Sequence, residues 1–79
     1  MPRDYYKEAR DLGKTLKLEG CNDMEDRINF AIASGFSSTE ILMKLRWELQ
    51  NIDKSKFSIS AETQAKLDEI LFSLDKVLS

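Results

Sequence analysis

The side chains able to do chemistry in this chain gather in one short stretch, GCNDMED, where Cys21 is followed by Asp23, Glu25 and Asp26. A thiol just ahead of a helix start can have its pKa lowered and act as a nucleophile. Clustered carboxylates can move protons. Neither group has the partners that catalysis needs. The chain has no histidine and no second cysteine, so a base beside the thiol, a zinc ligand set and an internal disulfide all lack their residues. No Gly-rich phosphate loop or nucleophile elbow occurs. Acids at a helix N-terminus are accounted for by the helix dipole, and Cys21 is expected to be a half-buried small residue. Binding is therefore the expected activity, with no enzyme chemistry, cofactor or metal.

Charge says what kind of binding. The net charge is −2, and a nucleic-acid binder is expected to be basic. The distribution is uneven. Residues 1–18 sum to +2, residues 19–40 to −4, residues 41–57 to +2 and residues 58–79 to −2. Acidity thus concentrates in the segment holding Glu19, Asp23, Glu25, Asp26 and Glu40, against Arg27 alone.

The elements that must position these residues are helices. Seventy-nine residues make one domain, near the lower end of what folds without staples. The one proline is at position 2, and no sustained apolar alternation supports a strand. Tyr5, Ala9, Leu12 and Leu16 build one apolar stripe, which predicts a first helix over about 4–18. Gly13 should weaken it by about 1 kcal/mol, and Gly20 should stop it. The second helix is expected over about 23–34, capped by Asn22 or Asp23, with Met24, Ile28, Ala31 and Ile32 inward and Gly35 at its end.

Ser37 and Glu40 form an S-x-x-E capping box opening a third helix over about 38–52, with Phe36 and Ile41 placed as a hydrophobic staple. Ile41, Leu42, Leu45, Leu49 and Ile52 give it a wide apolar face, which Met43 and Trp47 extend around the side. The connection NIDKSKFSIS should be pinned by Ile52, Phe57 and Ile59. Ser60 caps a fourth helix over about 61–78, with Glu62 and Lys66 as an i,i+4 pair and Leu67, Ile70, Leu71, Leu74, Val77 and Leu78 inward. The predicted fold is all-α, a compact antiparallel four-helix bundle.

The second helix, Gly35 and the third helix also approximate a helix-turn-helix, which would put Ser38, Thr39 and Lys44 in a major groove. The acidic preceding helix, the mixed charge of the reading helix and Lys44 at a normally apolar position oppose that reading, so a small DNA-binding regulator is the alternative. Trp47 is expected in the core, and Phe30 or Phe72, off their main stripes, are the better candidates for exposed apolar surface. The start, MPRDYYKEARDLGKTL, has no apolar leader-like run, and no apolar run reaches membrane-spanning length. A cytoplasmic protein, monomer or homodimer, is expected.

From about Asp26 to Leu74 the chain resembles the small helical immunity proteins encoded beside bacterial polymorphic toxins, particularly the MafI-like group. The resemblance is carried by INFAIASGFSSTEILMKLRWELQNI, a helix ending in a glycine turn before a Leu-rich helix, and by FSISAETQAKLDEIL, where "I-S" opens the last helix. Lys54 and Lys56 depart from the acidic or proline-containing loop of that group. The resemblance implies a non-enzymatic inhibitor of a cognate toxin, such as a basic nuclease domain. Glu19, Asp23, Glu25, Asp26 and Glu40 would then present the acidic surface, with Phe30 as an aromatic anchor.

Overall fold

A computed structural model describes residues 4–52 and 59–78. The expected contribution of Phe57 to the connection before the fourth helix, and the lysines at 54 and 56, lie outside the described residues. The helices are α1 (Tyr5–Leu18), α2 (Met24–Ser34), α3 (Ser38–Gln50) and α4 (Ala61–Leu78). Each packs on its neighbour in sequence, and α1 packs on α4, so the four close into a ring. Cross-helix pairs run in opposite senses. Lys17 meets Glu25 while Gly13 meets Ile28 on α2, and Arg27 meets Glu48 while Ser34 meets Lys44 on α3. The protein is an all-α four-helix bundle with antiparallel neighbours.

The core is the sum of the apolar stripes. Ala9, Leu12 and Leu16 of α1 meet Met24, Ile28 and Ala31 of α2, Leu45 and Leu49 of α3, and Leu67, Ile70 and Leu74 of α4. Ile52 is buried just past α3, and Ile59 packs against the core just before α4. Cys21 is fully buried in the same cluster, deeper than its sequence suggested. The reason is the end of α1. Gly20 adopts a left-handed φ of 106°, Cys21 N–H donates to the Leu16 carbonyl at 2.8 Å, and Gly20 N–H donates to Lys17 at 3.2 Å. That pattern closes a helix and folds the following apolar side chain back inside.

Two glycines act through space and not through φ. A Cβ on Gly13 would stand 3.2 Å from both Glu25 Cα and Ile28 Cδ1, so its absence lets α1 and α2 approach closely. The expected weakening of α1 by this glycine is thereby offset by closer packing. Gly35 has φ −79° and ψ 146°, a conformation open to any residue. A Cβ there would lie 2.2 Å from Ile41 Cγ1. Ile41 folds over the glycine, and Phe36 is left 96% exposed, so the expected Phe36–Ile41 staple does not form. The cap itself does. Ser37 Oγ accepts from Glu40 N–H at 3.2 Å, and Glu40 Oε2 accepts from Phe36 N–H at 3.3 Å.

Other starts and ends divide the same way. Ser60 Oγ accepts from Thr63 N–H at 3.2 Å and caps α4, as its sequence predicts. Asp23 occupies the N-cap position of α2 but makes no capping bond, because its backbone is already helical (φ −84°, ψ −16°). An N-cap side chain folds onto the first turn from an extended backbone. Val77, expected inward, is exposed in the final turn of α4, beyond the last buried leucine, Leu74.

Candidate functional site

The acidic residues singled out in the sequence do not form one surface. Glu19, at the C-cap of α1, turns across to the start of α4. Its carboxylate accepts from Ser60 N–H at 2.6 Å and from the hydroxyls of Ser60 and Thr63. An acid at the end of its own helix is poorly placed for that dipole, but here it caps the positive end of another. The Thr63 hydroxyl, then the Ser60 amide, hold the Glu19 carboxyl below its ordinary 4.5. Glu25 turns to Lys17 at 3.6 Å, and Glu40 closes the α3 cap while pairing with Lys44 at 3.4 Å. Asp23, Asp26 and Phe30, spaced i, i+3 and i+7, run up the outward face of α2, opposite Met24, Ile28 and Ala31.

Cys21 is not a reactive thiol. Burial pushes it above its ordinary 9.0, and the nearby Glu19 charge adds to the effect. Among the described residues, no three carboxylates or thiols stand close enough together to hold a metal ion.

Two opposite edges of the ring carry grooves. The first lies between α1 and α4 and has a volume of about 280 Å³. Leu12 and Ile70 form its floor, and Glu8, Asp11 and Thr15 face Lys66 and Glu69 across it. The linear charge sums hide this edge, because α1 separates its charges by face. Asp4, Glu8 and Asp11, spaced i, i+4 and i+7, share one side, while Lys7, Arg10, Lys14 and Lys17 share another. A segment that sums to +2 therefore presents acid to α4. Lys66 is paired with Glu62 at 3.8 Å, and past the groove Glu19 ties the end of α1 to Ser60 and Thr63. Sorting charges by helical face, not by segment, is the signal that finds Glu8, Asp11 and Glu69.

The second groove, between α2 and α3, has a volume of about 240 Å³ and is lined by Arg27, Phe30, Ala31, Ser34, Lys44, Trp47 and Glu48. Phe30 is 72% exposed, Trp47 58% and Met43 51%. The exposure of Phe30 and Phe72 agrees with their positions off the main stripes. Trp47, expected in the core, is not there. It stands two residues from both Leu45 and Leu49, which are buried, so helical rotation turns it outward beside α2. Lys44 points into this groove, 3.4 Å from Ser34 Oγ. Arg27 Nη1 stands 3.8 Å from Glu48 Oε2, an oxygen that is buried without a hydrogen bond.

No family model, no curated protein and no solved structure matches this chain. Among the described residues, no helix is long and apolar enough to cross a membrane.

Proposed function

We propose that this chain is a non-enzymatic binding protein that covers a basic surface of a protein partner with its α1–α4 edge, and so inhibits that partner. One observation carries the reading: the carboxylates of Glu8, Asp11 and Glu69 stand over an apolar floor of Leu12 and Ile70, with Lys66 as the single cation in the groove among the described residues. An acid-rimmed groove with an apolar base suits lysine and arginine side chains, whose stems are apolar and whose heads are charged. Asp4, Glu62 and Glu19 extend the same sign along the edge. Potential of one sign over such a surface steers an oppositely charged partner and sets partner choice more than raw affinity.

A nuclease is the partner class that fits best, because a cleft built to hold phosphates is basic. The toxin–immunity arrangement implied by the resemblance supplies such a partner, and a cytoplasmic toxin would be met there. The acidic surface would then lie on α1 and α4, with Asp23 and Asp26 on α2 as a lesser patch.

The test is titration of the purified chain against the nuclease domain of a candidate cognate toxin, read by calorimetry and by residual nuclease activity. Binding should weaken with salt. Replacing Glu8, Asp11 and Glu69 with lysine should cost several kcal/mol of affinity, about 4 in sum, where like charges are juxtaposed. Stability should change by only about 0.5 kcal/mol at exposed Asp11 and Glu69, and by about 1 kcal/mol at half-buried Glu8, an acid in the first turn of α1. Equal affinity in the triple variant would move the contact off this edge. Tight, salt-dependent binding to duplex DNA by the parent would favour the regulator instead.

A further inference from the structure

We propose that the partner's basic surface is bordered by an acidic one, and that Lys7, Arg10 and Lys14 on α1 select for that border. This rests on the inhibitor reading and specifies the partner it needs. The outward side of α1 is split lengthwise. Asp4, Glu8 and Asp11 line the flank towards α4. Lys7, Arg10 and Lys14, spaced i, i+3 and i+7, line the flank towards α2, and all three are exposed. Lys17 continues their row and reaches Glu25 of α2, which fixes the direction of that flank.

The other described cations are engaged within the chain. Lys17, Arg27, Lys44, Arg46 and Lys66 stand in ion pairs with Glu25, Glu48, Glu40, Asp75 and Glu62, and Lys76 lies over the Phe72 ring. Among the described residues, no carboxylate stands within ion-pairing distance of Lys7, Arg10 or Lys14. Lys7 and Asp11 are four apart but in the weaker order, cation first.

Size makes this row part of any contact at the acidic groove. A stable interface takes about 800 Å² from each partner, a patch about 30 Å across, while a helix with its side chains is about 10 Å wide. A partner seated on the α1–α4 groove therefore covers the outward side of α1 as well. Lys7 and Lys14 stand one turn to either side of Asp11 on that side. Against a partner that is basic throughout, three cations would meet like charge, which opposes binding. Carboxylates beside the partner's basic region turn the same three residues into attractions. Charge of both signs along one helix then rejects surfaces of a single sign.

The test is NMR titration of the isotope-labelled full chain at physiological ionic strength, where charges beyond about 8 Å are screened and contact pairs decide. Two alanine-based helical peptides are the probes. One carries lysines along two adjacent faces, the other lysines along one face and glutamates along the next. The two-signed peptide should shift amides on both flanks of α1 and bind about tenfold tighter, as expected of three surface charge pairs. Replacing Lys7, Arg10 and Lys14 together with glutamine should keep the helical circular dichroism of the parent and erase that preference. If the parent bound the all-lysine peptide as tightly, this proposal would fall and the acidic edge would stand. A preference that survived in the glutamine variant would overturn the assignment to these three residues. Binding of neither peptide would overturn the acidic edge as a contact surface, and this proposal with it.

Discussion

The α1–α4 edge and the α2–α3 edge are built from helices of the same kind, yet one is walled by carboxylates and the other by aromatic rings. Their joints differ as well. Helices α1 and α4 are far apart in sequence and are tied at one end by Glu19, whose carboxylate caps a helix it does not belong to. Helices α2 and α3 are joined by residues 35–37 alone, and the joint is tight because Ile41 occupies the space a side chain at Gly35 would need. The core-facing stripes of both edges are alike in kind, leucine and isoleucine with Ala9, Met24 and Ala31 among them. What distinguishes the two surfaces is carried by flanking positions, one or two residues to either side of the stripe, which the folding energy leaves nearly free to vary.

The comparison can be broken most forcefully at the α2–α3 joint. Gly35→Ala drives a methyl into Ile41 and should cost about 1–3 kcal/mol, the usual range for overpacking. Chemical denaturation would measure it. Trimming the neighbour in the double variant Gly35→Ala, Ile41→Ala should recover part of the loss, as coupled contacts do. Simply additive costs would mean that the two side chains do not compete for one space.

The corresponding change at the other edge is Glu19→Gln, and its effect depends on pH. The folded carboxyl titrates below its ordinary 4.5, so the unfolded chain takes up the proton first as the pH falls. Its stabilisation is complete above 4.5 and drains away as the pH drops through the lower folded value. The variant should melt below the parent at neutral pH, and the gap should close in acid. A gap in Tm that held constant to about pH 3 would assign Glu19 to packing, with no part for its charge.

The smallest effects belong to two helix starts whose sequences look alike. Ser37→Ala should cost about 1 kcal/mol, because a real cap is lost. Asp23→Ala should cost only a few tenths, since no capping bond is there to lose. Equal losses in thermal melts would erase the distinction.

Helix boundaries were legible because they follow from local chemistry. The stripes of Leu12 and Leu16, the S-x-x-E start of α3, Ser60 ahead of α4 and Gly20 after α1 each act within a few residues, and all hold in the fold. Phe30 was readable as exposed for the same reason, since its distance from the stripe is fixed by helical geometry. Asp23 misled because its side chain permits a cap, while its backbone angles were set by the turn from Cys21, where Met24 N–H donates to the Cys21 carbonyl at 3.2 Å. Trp47 misled because its hydrophobicity outweighed its angular position.

By itself, then, the sequence determined four amphipathic helices and most of the residues that fill the core, which depend on spacing along a 3.6-residue turn. Helix α3 ends at Gln50 and not near 52, and Cys21, Trp47 and Val77 fall outside the pattern. Which flanks meet was decided only in three dimensions. Closing α1 onto α4 brought Glu8 and Asp11 opposite Glu69, placed Glu19 against Ser60 and Thr63, and set the acidic groove where the segment's net charge is positive. Closing α2 onto α3 left Phe30 and Trp47 in water beside Arg27 and Glu48. Charges and rings separated by dozens of residues interact only once packing has fixed the rotation of each helix about its axis, and no local pattern contains that angle.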